Sequence, residues 1–398
     1  MIRIAAIFLL AGAAFAADDV AGQGARRGPA FLDKASIYQI WMRSFTPEGT
    51  LKAAAVRLPH IASLGATLVY LSPIHVQSQV GGFSNPYRIR DYYHIDPEYG
   101  TEQDLREFLA AAHRLGLKVM MDIVYYHTAP DSVMMATPEY YMHKDGEIVL
   151  GTWKLPRPDF GNPKLRRYLI DNLLHWARDF GFDGFRCDVS SGIPVDFWEE
   201  ARAELDKVNP NLVMLAESEV PAELLKAFDI IYAFSHQSTL RQVFRDGEPA
   251  SRIRAQWEKA HAAFPRGARL VRASDNHDQK RGIVDLSEKG ARAAAVLNFT
   301  LDGIPLVYNG QEINDTVLTD PSIALPAALG VGQGARAGGL RAGQRAEGHG
   351  RVVPAPVRTA FATTRAYGRR GGVEREQPAG LRDQLPARHR SGRHRRSD

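Results

Sequence analysis

Three apolar, β-prone runs each end in an acid: GFDGFRCDV at 181–189, LVMLAES at 212–218 and VRASDNHD at 271–278. A carboxylate taken out of water at the end of a buried strand costs several kcal/mol unless charge or hydrogen bonds compensate it. Three such acids in succession, Asp188, Glu217 and Asp278, point to one site gathered from the ends of parallel strands. Barrels of alternating strands and helices carry their chemistry there. Arg186 lies two residues before Asp188, so on a strand both side chains share a face, and the guanidinium is expected to hold Asp188 ionised. Glu217 follows Met214, Leu215 and Ala216 with no cation nearby in sequence, and burial is expected to keep it protonated. One ionised and one protonated carboxyl group are what cleavage of a glycosidic bond requires.

Such a site needs strands to hold it. From residue 36 to 312, short apolar runs alternate with amphipathic stretches, the pattern of successive β-α units. Eight strands are expected, at 37–42, 67–72, 118–124, 184–187, 212–216, 230–234, 270–273 and 306–308. Between them lie helical stretches such as 101–115, where Leu105, Phe108, Leu109 and Ala112 form one apolar face. The fold class is therefore α/β, a closed (β/α)8 TIM barrel spanning 36–324. Residues 128–163, after strand three, are too long for an ordinary βα loop and rich in Pro, Gly and aromatics, so a small inserted subdomain is expected there.

The 398 residues are 44% hydrophobic, enough to bury a full core. Residues 1–16 read as a secretory signal: Arg3, a short apolar run, then Ala14-Phe15-Ala16 as a small-x-small cleavage site. The expected location is therefore secreted or periplasmic, with 17–35 as a linker. The run is too short for a membrane anchor. The single cysteine, Cys187, excludes an intramolecular disulfide, and it should face away from Asp188 into packing. Residues 325–398 carry fifteen Arg, no Lys and five acids, a formal +10. Because the whole chain is +5, residues 1–324 are left mildly acidic at −5. That segment lacks interleaved aromatics and any nucleic-acid motif, so it reads as an irregular, disordered Arg/Gly-rich tail with no nucleic-acid or membrane partner.

In order and spacing, SIYQIWMRSF, DYYHIDPEYGTEQDL, DIVYYH, GFDGFRCDV, LAES, SDNHD and GIPLVYNGQE resemble glycoside hydrolase family 13, the α-amylase family, over about 36–314. The resemblance implies a retaining α-glycoside hydrolase acting through a covalent glycosyl-enzyme intermediate. It makes Asp188 the nucleophile, Glu217 the general acid/base and Asp278 the acid that grips the distorted sugar. It also implies that His127 and His277 donate hydrogen bonds to that sugar, that Tyr87 stacks on it, and that Asp122 orients Arg186. Asp159 reads as a turn residue, Asp91 and Tyr92 as structural, and Glu219 as a competitor for the acid role that the motif register disfavours. The resemblance implies a calcium ligand, Asn, before the strand-three His in many members, and after the nucleophile a Lys-His pair that binds the leaving-side sugars and completes that calcium site. Here the corresponding positions are Tyr126, and Ser191 with Gly192. No cofactor is expected, and calcium is disfavoured.

The expected substrate is an α-glucan or malto-oligosaccharide. Two alternatives stay open: a transglycosylase using the same site, and a non-catalytic or truncated inactive carbohydrate-binding relative. The complete set of Asp188, Glu217 and Asp278 argues against a non-catalytic relative and leaves the truncated form open.

Overall fold

The computed structural model describes residues 20–81 and 84–317. The segments read as a signal, 1–16, and as a tail, 325–398, lie outside the described residues. Eight parallel strands form one sheet: β1 (Ile37–Ile40), β2 (Leu68–Leu71), β3 (Lys118–Ile123), β4 (Gly184–Cys187), β5 (Val213–Ala216), β6 (Ile230–Ile231), β7 (Val271–Arg272) and β8 (Ile304–Tyr308). The order is β6-β5-β4-β3-β2-β1-β8-β7, and a parallel bridge between Ile231 and Leu270 joins the two ends into a barrel. The expected (β/α)8 architecture is therefore the observed one.

These segments are short runs buried on both faces, as strands of a parallel barrel are, with successive side chains pointing alternately inward and outward. In β5, Val213 and Leu215 face the barrel interior with Ile37, Leu68, Met120, Ile230 and Leu306. Met214 and Ala216 face outward, with Cys187 and Phe185 of β4, into the layer under the helices. Cys187 is thus packed and unpaired, on the face opposite Asp188. Gly184 opens β4 where the Val213 carbonyl approaches so closely that a Cβ would clash.

The helices that flank the barrel are α1 (Leu51–Ser63), α2 (Glu102–Arg114), α3 (Pro163–Leu174), α4 (Val195–Val208), α5 (Phe234–Phe244), α6 (Ser251–Ala263) and α7 (Ser287–Thr300). In α2 all four residues of the expected apolar face are buried, and Thr101 with Asp104 forms a capping box at its start. No helix among the described residues is long and apolar enough to cross a membrane.

Three local expectations are corrected. The strand read as 37–42 stops at Ile40, and Met42–Phe45 is a helical turn. The strand read as 230–234 is only Ile230–Ile231, because Phe234 already opens α5. The segment read as a linker is, in its described part, fastened to the barrel: Ala25 N–H donates to Arg266 O (2.9 Å), Arg26 N–H to Leu224 O (2.8 Å), and Arg26 pairs with buried Asp229 (2.6 Å).

One element escaped the sequence reading. His75–Gln77 and Ile89–Ile95 form an antiparallel hairpin after β2, and the segment between them carries Tyr87. Within 128–163, two 3-10 turns precede a short hairpin, His143–Lys144 with Glu147–Ile148, and α3 begins at Pro163.

Candidate active site

Arg186 organises the site. The register pairs Asp122 of β3 with Arg186 of β4, and Arg186 with Leu215 of β5, which puts the guanidinium level with both neighbouring strand ends. Arg186 Nη1 donates to Asp122 Oδ1 (2.8 Å) and Asp188 Oδ1 (2.7 Å), while Nη2 lies 2.7 Å from Glu217 Oε1. Glu217, with no cation nearby in sequence, therefore has one in space. Sequence distance hid the contact, because adjacent parallel strands bring residues 186 and 217 side by side. Glu217 Oε2 also accepts the Val189 N–H at 2.8 Å.

Arg186, expected to hold Asp188 ionised, is opposed by the surroundings of that carboxyl group. Burial and the neighbouring Glu217 push its pKa well above the ordinary carboxylate range, and Arg186, shared among three acids, does not reverse this. Burial likewise raises Asp122 against the opposing pull of Arg186 and the Tyr70 hydroxyl.

A layer of rings and amides continues the network. Tyr70 and Tyr87 both donate through their hydroxyls to Asp122 Oδ2, at 2.6 and 2.7 Å. Gln39 Nε2 donates to His277 Nδ1 (2.8 Å), which leaves the His277 proton on Nε2, 2.6 Å from the Tyr87 oxygen. The Tyr87 and His277 rings lie nearly parallel, 5.4 Å apart, and Trp41 lies parallel to His277 at the same separation. Tyr87, expected to stack on sugar, thus has its hydroxyl tied into the protein network. His127 donates from Nε2 to the Tyr87 carbonyl (2.9 Å), so the expected donor is engaged, and its buried Nδ1 lacks a protein partner. Burial lowers both His127 and His277 to about 4, which makes them neutral at pH 7.

Asp278 is not at a buried strand end as expected. β7 ends at Arg272, and an Asx turn in which Asp278 N–H donates to Asn276 Oδ1 (3.0 Å) carries Asp278 to the mouth, its side chain 47% exposed. It still faces the site, with Oδ2 3.3 Å from His277 Nε2. Asp188, Glu217, Asp278, Arg186, Asp122, Tyr87, His127 and His277 are therefore linked through one chain of contacts. Glu219 is not among them, since it accepts from Ser235 N–H and Oγ. Asp159 accepts from Gly161 N–H in a turn, and the Tyr92 hydroxyl supports the His127 carbonyl at 3.1 Å.

Sequence reasoning missed Gln39, Trp41, Tyr70 and Trp153. Two of them were within reach: in SIYQIWMRSF, period two from Ile37 aims Gln39 and Trp41 inward, and an amide in an apolar strand marks a polar interior. Trp153 is 55% exposed on the inserted subdomain, with its ring centroid 5.2 Å from that of His127. No short-range signal connects it to the site.

Between the segments that follow β4 and β5 lies a cavity of about 350 Å³, lined by residues including Ser191, Gly192, Val195, Val220 and Glu223. Glu223 accepts from Ser190 Oγ (3.2 Å), and burial raises its pKa to about 7. The residues do not fit the calcium site that the resemblance implies. Arg157 donates from Nη1 to the Tyr126 carbonyl (2.6 Å) and from Nη2 to the Gly192 carbonyl (3.1 Å). Among the described residues, no three His, Cys, Asp or Glu side chains are grouped to hold a metal ion.

Similarity to known proteins agrees with this geometry. The chain is 31% identical over 312 residues to the α-amylase MalA of Haloarcula japonica, covering 73% of this chain and 46% of that protein. It is 27% identical to neopullulanase 2 of Thermoactinomyces vulgaris over 70% of this chain and 52% of that one. The chain thus spans about half the length of the curated relatives it matches. The crystal structure of an α-amylase from Lactobacillus plantarum superposes with a TM-score of 0.71 at 31% identity, over 84% of this chain and 80% of that chain. The family model for the α-amylase catalytic domain matches residues 14–138 and 131–324. By that match, across well over half its length, this chain belongs to the α-amylase catalytic-domain family of glycoside hydrolases.

Proposed function

We propose that the chain hydrolyses α-glucosidic bonds in α-glucans or malto-oligosaccharides with retention of anomeric configuration. The observation that carries this is a single guanidinium, Arg186, holding Asp188 and Glu217 at the ends of adjacent strands. Glu217, protonated, gives its proton to the glycosidic oxygen as Asp188 attacks C1. The bond to the leaving sugar breaks and a glycosyl ester forms on Asp188. Glu217, now a carboxylate, takes a proton from water as the water oxygen attacks C1, which frees Asp188 and restores both acids. Asp278 and His127, through its Nδ1 as acceptor, bind the sugar hydroxyls around the oxocarbenium-like transition state, while His277 holds the Tyr87 hydroxyl in place. The cavity beside Glu223 receives the leaving sugars, and Trp153 offers a ring face at the rim. The relatives named as an α-amylase and a neopullulanase support an α-glucan as the substrate class.

The test is product analysis with the full chain and maltoheptaose, using Asp188→Asn as the control. Shorter maltosides from the wild type alone support hydrolysis at this site. Longer oligomers mark transfer to sugar, and an absence of products from folded protein contradicts the reading. Export is proposed on residues 1–16, and a mature N-terminus that is not generated by cleavage near Ala16 would refute it.

A further inference from the structure

Three segments converge behind His127 and Asp188. The first follows β3 and carries Tyr126; the second is the turn after β4, from Val189 to Gly192; the third returns from the inserted hairpin through Arg157. Arg157 is fixed at its backbone, where its N–H donates to Val149 O (3.0 Å) and its carbonyl accepts from Met142 N–H (2.9 Å). Its guanidinium then reaches out of the insert. It lies 3.5 Å over the Tyr126 ring while donating to the Tyr126 and Gly192 carbonyls. Among the described residues its neighbours supply carbonyl oxygens and a ring face but no carboxylate within ion-pair distance.

The parts of this clasp depend on one another. A Cβ at Gly192 would collide with the Tyr126 ring, so residue 192 must lack a side chain for Tyr126 to occupy that space. The Tyr126 ring in turn is the surface on which the guanidinium lies. These are the positions, 126 and 192, that the family resemblance assigns to calcium binding.

We infer that Arg157 is a built-in cation that replaces a divalent metal, clasping the insert to the two segments that present His127 and Asp188. The turn it holds is a strained one. Val189, a β-branched residue, sits at φ +44°, in the left-handed region that favours glycine. That conformation aims the Val189 N–H at Glu217 Oε2, and Gly192 N–H closes the turn onto Val189 O at 2.9 Å. By gripping the Gly192 carbonyl, Arg157 keeps the turn from relaxing. Arg157 is therefore a positioning residue for Glu217 and, through Tyr126, for His127.

The inference rests on the proposed hydrolysis only for its kinetic arm. Its first arm is thermal melting of the full wild-type chain in EDTA and in millimolar calcium chloride, which needs no substrate. The melting temperature should be the same in both. A loss in EDTA that calcium restores overturns the inference, even if the chain hydrolyses nothing. The second arm is Arg157→Ala with maltoheptaose. Its kcat should fall about tenfold to a hundredfold with KM little changed, because catalytic groups are displaced while sugar contacts remain. Added methylguanidinium should restore part of that loss, and Arg157→Lys should retain an intermediate kcat. Wild-type kcat and melting temperature in Arg157→Ala would overturn the inference. If Arg157→Ala does not fold, the wild-type melting comparison decides the question.

Discussion

One positive charge cannot offset three acids in a buried space. Arg186 faces Asp122, Asp188 and Glu217, so its single charge is divided, and burial with the neighbouring Glu217 opposes the ionised form of Asp188. Attack by Asp188 needs its carboxylate, and the raised pKa of that group means a higher pH is needed to form it. The acid limb of the kcat/KM profile should therefore lie clearly above pH ~4, the ordinary carboxylate value. A limb at the ordinary value would show that Arg186 holds Asp188 ionised after all. Tyr87→Phe removes a hydroxyl that donates to Asp122 and accepts from His277. Its kcat should drop about tenfold to a hundredfold, the range for losing a hydrogen bond to a charged group, with the fold intact by circular dichroism. The acids were legible because each closes an apolar run. The partner of Glu217 was not, because the 31-residue separation from Arg186 becomes a 2.7 Å contact only once β4 and β5 pair.

Strands and helices were legible wherever an apolar run or a 3.6-residue period was uninterrupted, as in β5 and α2. They were not where an element is short or half-exposed. In the hairpin at 75–95 the second strand, IRDYYHI, buries only Ile89, Tyr92 and Ile95, three residues apart, so no period-two pattern marks it as a strand. Strand ends shifted for a related reason: Phe234 is apolar enough to extend β6 on paper, yet it starts α5. A prediction at this scale concerns the segment after β5. Glu223 in the short helical turn Pro221–Leu224 has its pKa raised to about 7 by burial, above its unfolded value near 4.5. The folded state then binds the extra proton between those values. Its contribution to stability is full below pH ~4.5 and lost as pH rises through about 7. Glu223→Gln removes that loss. The variant should match wild type at pH 4 and exceed it by about 2–3 kcal/mol at pH 9 in urea unfolding. Equal stability at both pH values would contradict the burial argument.

Among the described residues, four buried histidines carry lowered pKa values: His75 about 3, and His127, His236 and His277 about 4, each with burial as the leading cause. Unfolded histidines titrate near 6.5, so the unfolded chain binds more protons below that value. Their contribution to stability should fall as pH drops from ~6.5 toward 4. The raised acids Glu223, Asp188 and Asp122 pull the other way as pH falls, so the histidine contribution is read as a difference. His75, with neither ring nitrogen hydrogen-bonded, should contribute most. The melting-temperature loss from pH 7 to 4 should therefore be smaller in His75→Phe than in wild type, and equal losses would refute the neutral-histidine core. The central claim, that Asp188 and Glu217 cleave an α-glucosidic bond with retention, meets its most direct test in proton NMR of maltoheptaose during the first minutes of reaction. The new reducing ends should appear as the α-anomer, mutarotating later, and should be absent with Asp188→Asn. First appearance of the β-anomer, or undiminished cleavage by Asp188→Asn, would contradict the account.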